Sequence, residues 1–172
     1  ILILGGSQGS RPINMHILKN IDFYIDSGYQ ILWQCGKFDF KYLKSKINNS
    51  NIKIKKFIND MSFSYSAADI VISRAGAIAI SEMTYMGKAM ILIPFPQAAE
   101  NHQYINAKII KAHNACILIE QKSLSSGKLE INIETILNNK IHLKELKKKS
   151  KSISKPKATK KIVAEIIKDI AC

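Results

Sequence analysis

The sequence has few of the features that mark exported, membrane-spanning or metal-binding proteins. Its 172 residues include only three cysteines, Cys35, Cys116 and Cys172, which have neither CxxC nor metal-ligand spacing. No apolar run approaches the ~18 residues of a membrane-spanning helix, and no basic leader precedes an apolar segment with a cleavage site. These absences favour a reduced cytosolic protein. Cys35 and Cys116 lie in apolar runs, so we expect both in the core.

Acidic residues are also scarce relative to basic ones. The chain has 26 Lys and Arg against 13 Asp and Glu, which gives a formal net charge of +13. Many of the lysines lie in residues 140–161. A solvated helix face, an anionic membrane surface and nucleic acid all fit such a run. The run has no aromatic side chains to stack on bases, so we expect no nucleic-acid partner.

Short apolar runs alternate with longer helical patterns along the chain, and this alternation predicts an α/β fold. Strands are predicted at residues 1–4, 30–34, 52–57, 70–73, 90–95 and 116–120. Helices are predicted at residues 11–27, 39–48, 60–67, 77–86, 101–113, 124–138, 141–152 and 156–171. Nearly continuous apolarity in most strands is typical of a parallel sheet covered on both faces. The sequence therefore predicts a doubly wound, Rossmann-like parallel sheet of about six strands.

A glycine-rich turn, GGSQGS at residues 5–10, follows the first predicted strand. Glycines let the backbone turn tightly, and the next helix offers free N–H groups and its positive dipole end to an anion. Gly6 and Ser7 are the candidate contacts in this turn. The pattern is neither the GxGxxG dinucleotide fingerprint nor a GK[ST] phosphate loop. A turn needed only for packing is the alternative.

Three further loops follow predicted strands, so they gather at the edge of the sheet where ligands bind in such folds. In KKFINDM, Phe57 and Ile58 lie at a strand tip and can pinch a flat base. In SRAGAIAISEM, Glu82 lies one to two turns into a helix, where a carboxylate can accept hydrogen bonds from ribose hydroxyls. In ENHQYINA, His102 and Gln103 open a helix and can bind sugar hydroxyls.

Each of these loops also has an ordinary structural interpretation. Ile58 can end a strand before a capped helix, Glu82 can face solvent, and His102 can be a capping or surface residue. Taken together, however, the loops predict a nucleotide-sugar pocket with helix N-termini around a diphosphate. No Asp-x-Asp pattern or His/Cys cluster marks a metal site. We therefore expect no metal or cofactor, and positive helix ends that stabilise the departing diphosphate.

Four stretches in order, ILILGGSQGS, FINDM, ADIVISRAGAIAISEMTYMGKAMILIPFP and ENHQYINA, carry a resemblance to a known family. From residue 1 to about residue 122, the chain resembles the C-terminal, donor-binding half of the MurG family of N-acetylglucosaminyltransferases. The resemblance implies a two-domain GT-B fold and inversion at the anomeric carbon without an essential metal. It also implies transfer of N-acetylglucosamine from UDP-N-acetylglucosamine to lipid I, forming lipid II in peptidoglycan synthesis. The expected location is cytoplasmic, peripheral on the inner face of the cell membrane.

The resemblance also implies a role for each candidate residue. Ser7, beside Gly6, would contact the donor diphosphate, and Glu82 would hold the ribose hydroxyls. The remaining implied contacts are the backbone of Ile58 with uracil, the N–H groups of Ala77, Ile78 and Ala79 with the phosphates, and Gln103 with adjacent His102 at the sugar. This sequence departs from the family pattern at two positions. Ser10 replaces a usual alanine, and Ala79 stands where threonine is common, so no hydroxyl at position 79 can bind phosphate.

The family's N-terminal half is not matched by this chain. That half carries another glycine-rich loop, the acceptor and membrane contacts, and the proposed catalytic base, so we expect no catalytic base here. We expect a fragment or split-gene product in which residues 1–172 form one nucleotide-sugar-binding domain, with a terminal helix at 156–171. It would bind UDP-N-acetylglucosamine, meet lipid I only through the missing half, and transfer no sugar alone.

Three alternatives to this fragment remain open. The chain could be the donor-binding subunit of a split glycosyltransferase with a separate membrane partner, as in the eukaryotic dolichol-linked enzyme. It could be a non-catalytic UDP-sugar-binding remnant, or a nucleic-acid binder that acts through its lysines. In any assembled enzyme, we expect the lysine-rich tail to help hold it near anionic lipid.

Overall fold

A central parallel sheet organises the protein, for which a computed structural model describes residues 1–170. Its strands are β1 (Leu2–Leu4), β2 (Ile31–Gln34), β3 (Ile52–Lys55), β4 (Ile70–Ser73), β5 (Ala89–Leu92) and β6 (Ile117–Leu118). They are ordered β3-β2-β1-β4-β5-β6, and every neighbouring pair is parallel. The strand order reverses between β1 and β4, where ligands bind in doubly wound folds. The predicted six-stranded α/β architecture is confirmed.

The helices differ from the predicted ones mainly at their ends. They are α1 (Arg11–Lys19), α2 (Ile21–Asp26), α3 (Phe40–Lys46), α4 (Met61–Ala67), α5 (Ala77–Tyr85), α6 (His102–Ala112), α7 (Lys128–Leu137), α8 (Lys140–Ser152) and α9 (Ala158–Ile170). Two 3-10 helices span Ala99–Asn101 and Gln121–Ser126. The last residue of the predicted terminal helix, Ala171, lies outside the described residues, as does Cys172.

Two of the helix predictions are wrong for identifiable reasons. The single helix predicted over residues 11–27 is broken at Asn20, which has φ −106° and ψ 24°. Its backbone N–H and its side-chain amide both donate to the His16 carbonyl, at 3.2 and 2.8 Å, and α2 begins at the next residue. The helix predicted over 124–138 begins later, because Gly127 has a left-handed backbone (φ 72°) immediately before Lys128.

Side chains from the two faces of the sheet enter separate buried clusters. Ile3 packs with Ile17 of α1 on one face, while Leu2 and Leu4 pack with Met83 of α5 on the other, as strand alternation requires. The edge strand β3 alternates buried and exposed residues, as its IKIK pattern predicts. These two layers of helices leave the carboxyl edge of the sheet open to solvent-exposed loops.

The two cysteines in the described chain are both in the core, as predicted. Burial raises the pKa of the Cys35 thiol to about 11 and that of the Cys116 thiol to about 12. Both thiols are therefore protonated at neutral pH and are poor nucleophiles.

A polar contact joins α1 to α7 across this core. His16 Nε2 lies 2.9 Å from Glu130 Oε1, and the Tyr24 hydroxyl donates to the same oxygen at 3.2 Å. Both side chains of the His16–Glu130 pair are largely buried. The pair therefore links α1 to α7, which lies more than a hundred residues later in the chain.

The last helix, α9, differs from α1 to α8 because none of its described residues is buried. Residues 159–170 are exposed, although α9 carries a continuous apolar stripe of Ile162, Val163, Ile166, Ile167 and Ile170. Spacings of three and four residues place these side chains on one face of the helix. Within residues 1–170, no helix combines the length and apolarity needed to cross a bilayer.

Candidate nucleotide-sugar site

A cleft of about 790 Å³ opens at the carboxyl edge of the sheet, above the ends of β1 and β4. This is the point where the strand order reverses. Of the residues predicted from the sequence, it brings together Gly6, Ser7, Ile78, Ala79, Glu82 and Gln103. Ala77, Ile58 and His102 do not line it. The volume falls in the range of ordinary small-molecule sites.

The glycine turn forms one wall of the cleft and leads into α1. The Gly9 N–H donates to the Gly6 carbonyl at 3.1 Å, and both glycines have positive φ, +83° and +87°. A Cβ on Gly9 would overlap the carbonyl of Cys35, so only glycine fits there. The first backbone bond of α1 runs from the Asn14 N–H to the Ser10 carbonyl, and Ser10 makes no side-chain cap. The start of α1 is thus an uncapped, positive helix end.

A second uncapped helix end forms the opposite wall. Gly76 precedes α5 and has no side chain to cap it, and the first α5 backbone bond runs from the Ile80 N–H to the Gly76 carbonyl at 3.0 Å. The N–H groups of residues 77–79 therefore have no partner within the helix. These are the groups that the resemblance assigns to the phosphates. Because α1 and α5 both begin at this cleft, their dipoles favour an anion between them.

Sequence reasoning missed Arg74, which lies beneath the cleft and is only 7% exposed. Its Nη1 donates to the carbonyls of Ile93 and Pro94, at 3.0 and 2.9 Å. Its Nη2 donates to Ser10 Oγ at 2.7 Å and to Gln121 Oε1 at 2.6 Å. Burial lowers the pKa of Arg74 to about 10, so the guanidinium is still charged at neutral pH.

These Arg74 contacts give the side chain of Ser10 a role. Ser10, where the resemblance implies alanine, uses its hydroxyl as an acceptor for the buried guanidinium. All four acceptors are uncharged, and none of the salt bridges found in residues 1–170 involves Arg74. The cleft floor therefore keeps a positive charge that its own contacts do not neutralise.

Glu82 stands at the side of the cleft and is oriented by a residue that the sequence did not reveal. The hydroxyl of buried Tyr65, on α4, donates to Glu82 Oε2 at 3.0 Å. Burial, and then the nearby carboxylate, raise the pKa of Tyr65 well above its usual value, so it remains a donor. This bond uses one carboxylate oxygen, and the Glu82 side chain is otherwise exposed beside the cleft.

Ile58 is placed differently from its neighbour Phe57. Phe57 is exposed and lines the cleft, whereas Ile58 is buried beside it. The Ile58 N–H donates to Gln34 Oε1 at 2.8 Å, so this N–H is already engaged in the free protein. The contact between the Ile58 backbone and uracil stays a prediction. In the free protein the Ile58 N–H is not available for that contact, because it is bonded to Gln34.

At the start of α6, Gln103 is part of the cleft lining and His102 is not. Gln103 lines the cleft, and its Oε1 accepts from the Phe95 N–H at 3.0 Å, which leaves the amide nitrogen as the free donor. His102 is exposed, and its Nδ1 lies 2.8 Å from the Ala99 carbonyl. Two consecutive residues before it, Glu100 and Asn101, have left-handed backbones (φ 48° and 55°). Such strain is common where a loop positions functional groups.

The residues described here show no grouping suited to a metal ion. Among residues 1–170, no set of three or more His, Cys, Asp or Glu side chains is placed to bind one. The charges at the cleft are instead those of Arg74, Glu82, the helix dipoles and Arg11, which is paired with Asp39 at 2.8 Å.

Comparison with known proteins identifies the family. Residues 1–165 match the glycosyltransferase family 28 C-terminal domain. The chain belongs to this family. Two curated relatives share the name UDP-N-acetylglucosamine–N-acetylmuramyl-(pentapeptide) pyrophosphoryl-undecaprenol N-acetylglucosamine transferase. The one from Flavobacterium psychrophilum is 45% identical over 168 residues, and the one from Vesicomyosocius okutanii is 43% identical over 165 residues.

This family 28 domain spans about half the length of those relatives. The alignments cover 98% and 95% of this chain but 46% of each relative. The crystal structure of MurG from Acinetobacter baumannii superposes with a TM-score of 0.83 at 29% identity, covering 97% of this chain and 49% of that one. The resemblance to the C-terminal half of MurG and the expected fold, one Rossmann-like half of a GT-B glycosyltransferase, are both confirmed.

Proposed function

We propose that this family 28 domain forms the donor site of an inverting N-acetylglucosaminyltransferase that converts lipid I into lipid II in peptidoglycan synthesis. One observation carries the proposal: two uncapped helix N-termini and an uncompensated buried guanidinium border the same cleft. That arrangement suits a doubly charged diphosphate. The names of the relatives, which specify N-acetylglucosamine transfer, support the donor and the reaction.

The donor diphosphate binds between the glycine turn and α5. Ser7 contributes its hydroxyl, and Gly6 allows the close backbone approach. The N–H groups of Ala77, Ile78 and Ala79 contact the phosphate oxygens from the other wall, although Ala77 lies just outside the cleft lining. Arg74 adds positive charge from below.

The uridine and the sugar occupy opposite ends of the cleft. Glu82 accepts hydrogen bonds from the ribose hydroxyls, and Tyr65 holds the carboxylate in place. Phe57 packs on uracil, whose edge binds the carbonyl rather than the engaged N–H of Ile58. The amide nitrogen of Gln103 donates to the N-acetylglucosamine, with His102 at the outer edge.

The chemical contribution of these residues is stabilisation of the leaving group. An acceptor hydroxyl attacks the anomeric carbon from the face opposite the diphosphate, and the bond from that carbon to the phosphate oxygen breaks. The electron pair of that bond goes to the diphosphate, where the helix ends and Arg74 stabilise the developing charge. The acceptor proton goes to a base supplied by the half of the enzyme that this chain does not match. No metal or cofactor is required.

A partner half completes the enzyme, whether it belongs to the same polypeptide or to a separate subunit. The exposed apolar stripe of α9 favours such a partner, because monomeric proteins rarely leave a continuous apolar face uncovered. Lipid I is bound by that partner half. A non-catalytic UDP-sugar-binding remnant is the alternative, and it would not need this stripe.

The assembled enzyme lies on the inner face of the cell membrane, in the cytoplasm. The lysines of residues 140–161 supply the attraction to anionic lipid. Co-sedimentation of the chain with vesicles tests this, and binding that is equal with and without acidic lipid would refute it. Binding to added DNA or RNA with a steep salt dependence would instead indicate a nucleic-acid partner.

Calorimetry and a turnover assay test the proposed function directly. The isolated 172-residue chain should bind UDP-N-acetylglucosamine and UDP, and should not transfer sugar to a lipid I analogue. Transfer should appear only when the N-terminal half of a family relative is added. Robust transfer by the chain alone, or no UDP binding at all, would contradict the proposal.

A further inference from the structure

One buried amide connects the two loops that lie at the phosphate end and the base end of the cleft. Gln34 is the last residue of β2, which lies between β1 and β3 in the sheet. Its Nε2 donates to the Gly6 carbonyl at 3.0 Å, in the loop after β1. Its Oε1 accepts from the Ile58 N–H at 2.8 Å, in the loop after β3. The side chain thus bridges the loops on both sides of its own strand.

The orientation of this amide is fixed by its partners. A carbonyl can only accept and an N–H can only donate, so rotating the amide by half a turn would break both bonds. Gln34 is 5% exposed and lines the cleft, so neither lost bond would be replaced freely by water. The two loops are therefore held at one separation.

We propose that Gln34 is a positioning residue that sets the distance between the base end and the diphosphate end of the donor site. The proposal rests on the proposed UDP-sugar function. A nucleoside diphosphate must reach both loops at once, so a fixed spacing lowers the ordering cost of binding. Uridine alone reaches only the base end, so it depends on the Ile58 side of the bridge and not on the Gly6 side.

Two substitutions separate the two halves of the bridge. In Gln34→Glu, the carboxylate still accepts from the Ile58 N–H but opposes the Gly6 carbonyl, so the phosphate side of the bridge is lost. The substitution also adds a negative charge at the cleft. Affinities measured at low and high salt separate this repulsion from the lost bond, because salt screens the repulsion alone. In Gln34→Leu, both bonds are lost. Gln30→Leu is the matched control, because Gln30 is exposed and its backbone carbonyl, not its side chain, accepts the chain's amino terminus.

The measurements are calorimetric affinities of the 172-residue chain for UDP and for uridine. We expect Gln34→Glu to weaken UDP about tenfold or more while uridine changes by less than about threefold. Gln34→Leu should weaken both ligands, and Gln30→Leu neither. UDP affinity of both Gln34 variants within about twofold of the wild type, or an equal loss of UDP and uridine in Gln34→Glu, would overturn the proposal.

Amide hydrogen exchange gives a test that does not depend on variants folding. In the ligand-free wild-type chain, the Ile58 amide should exchange slowly, because it is buried and bonded to Gln34. Fast exchange of that amide would show that the hydrogen bond from Ile58 to Gln34 is not formed, and would overturn the proposal. If the wild-type chain binds no UDP, the proposed function fails; if it binds UDP and the variants bind equally well, only the role of Gln34 fails.

Discussion

Replacing Glu82 with alanine tests the ribose contact most sharply. One carboxylate oxygen is bonded to the Tyr65 hydroxyl, and the side chain is exposed at the side of the cleft, so a hydroxyl-bearing ligand can reach it. Hydrogen bonds to a charged group contribute about 1.5–3 kcal/mol each. We expect Glu82→Ala to weaken UDP binding by this amount, which corresponds to about ten- to 150-fold in the dissociation constant.

Calorimetry with UDP and 2′-deoxy-UDP shows whether the loss comes from the ribose. The wild-type chain should bind UDP more tightly than the deoxy form, and this preference should disappear in Glu82→Ala. The control is Glu145→Ala, because Glu145 is exposed on α8 and its removal changes the net charge equally. An unchanged UDP affinity in Glu82→Ala, or a surviving preference for UDP, would show that the carboxylate does not contact the pentose.

A double-mutant cycle shows whether Tyr65 acts through Glu82. Tyr65→Phe keeps the buried ring and removes only the hydroxyl that donates at 3.0 Å. We expect a loss of UDP affinity of about 1 kcal/mol or less. Combined with Glu82→Ala, it should add nothing, because its partner is already gone. Additive losses would mean that Tyr65 contacts the ligand or the fold independently.

Three further predictions concern charge, backbone and pH. Arg74→Met should lower the affinity for UDP at least about tenfold and leave uridine binding nearly unchanged, because in the proposed site this charge lies beneath the diphosphate; equal effects on both ligands would refute this. Gly9→Ala should lower the free energy of unfolding by at least about 2 kcal/mol in urea denaturation, because φ is +83° and the Cβ overlaps the Cys35 carbonyl. Burial raises the pKa of Glu130, but hydrogen bonds led by that from His16 more than offset this and leave the pKa below its usual value of 4.5. Glu130→Gln should therefore destabilise the chain at neutral pH, and the difference from wild type should shrink as pH falls below about 4.5 through the lowered pKa; a gap that is constant with pH would show that these hydrogen bonds do not favour the charged carboxylate.

The strands were readable from the sequence because most are buried on both faces and nearly continuous in apolarity. The prediction for residues 70–73 coincides with β4. The residues at which helices end were harder to predict from the sequence, because they depend on local side-chain hydrogen bonds such as that from Asn20 to His16. The glycine turn and the α5 start were found because loops after parallel strands share one edge. Their contacts with a nucleotide sugar remain predictions.

The residues that sequence reasoning missed share one property, which is that their partners are far away along the chain. Arg74 bonds to Ser10, 64 residues away, and Gln34 bonds to Ile58, 24 residues away. Tyr65 and Glu82 are 17 residues apart on different helices. No local spacing or periodicity encodes such pairs, so they emerge only when the sheet order brings the loops together.

The reversal of strand order has a mechanical consequence. The halves β1–β3 and β4–β6 share a single backbone ladder, that between β1 and β4, and the cleft lies directly over this seam. A molecule anchored to the glycine turn on one half and to α5 on the other would therefore brace the sheet across this junction. At a hundred times its dissociation constant, it would add about 2.7 kcal/mol to the stability of both halves together. Occupancy of the cleft would then also raise the equilibrium population of the folded domain.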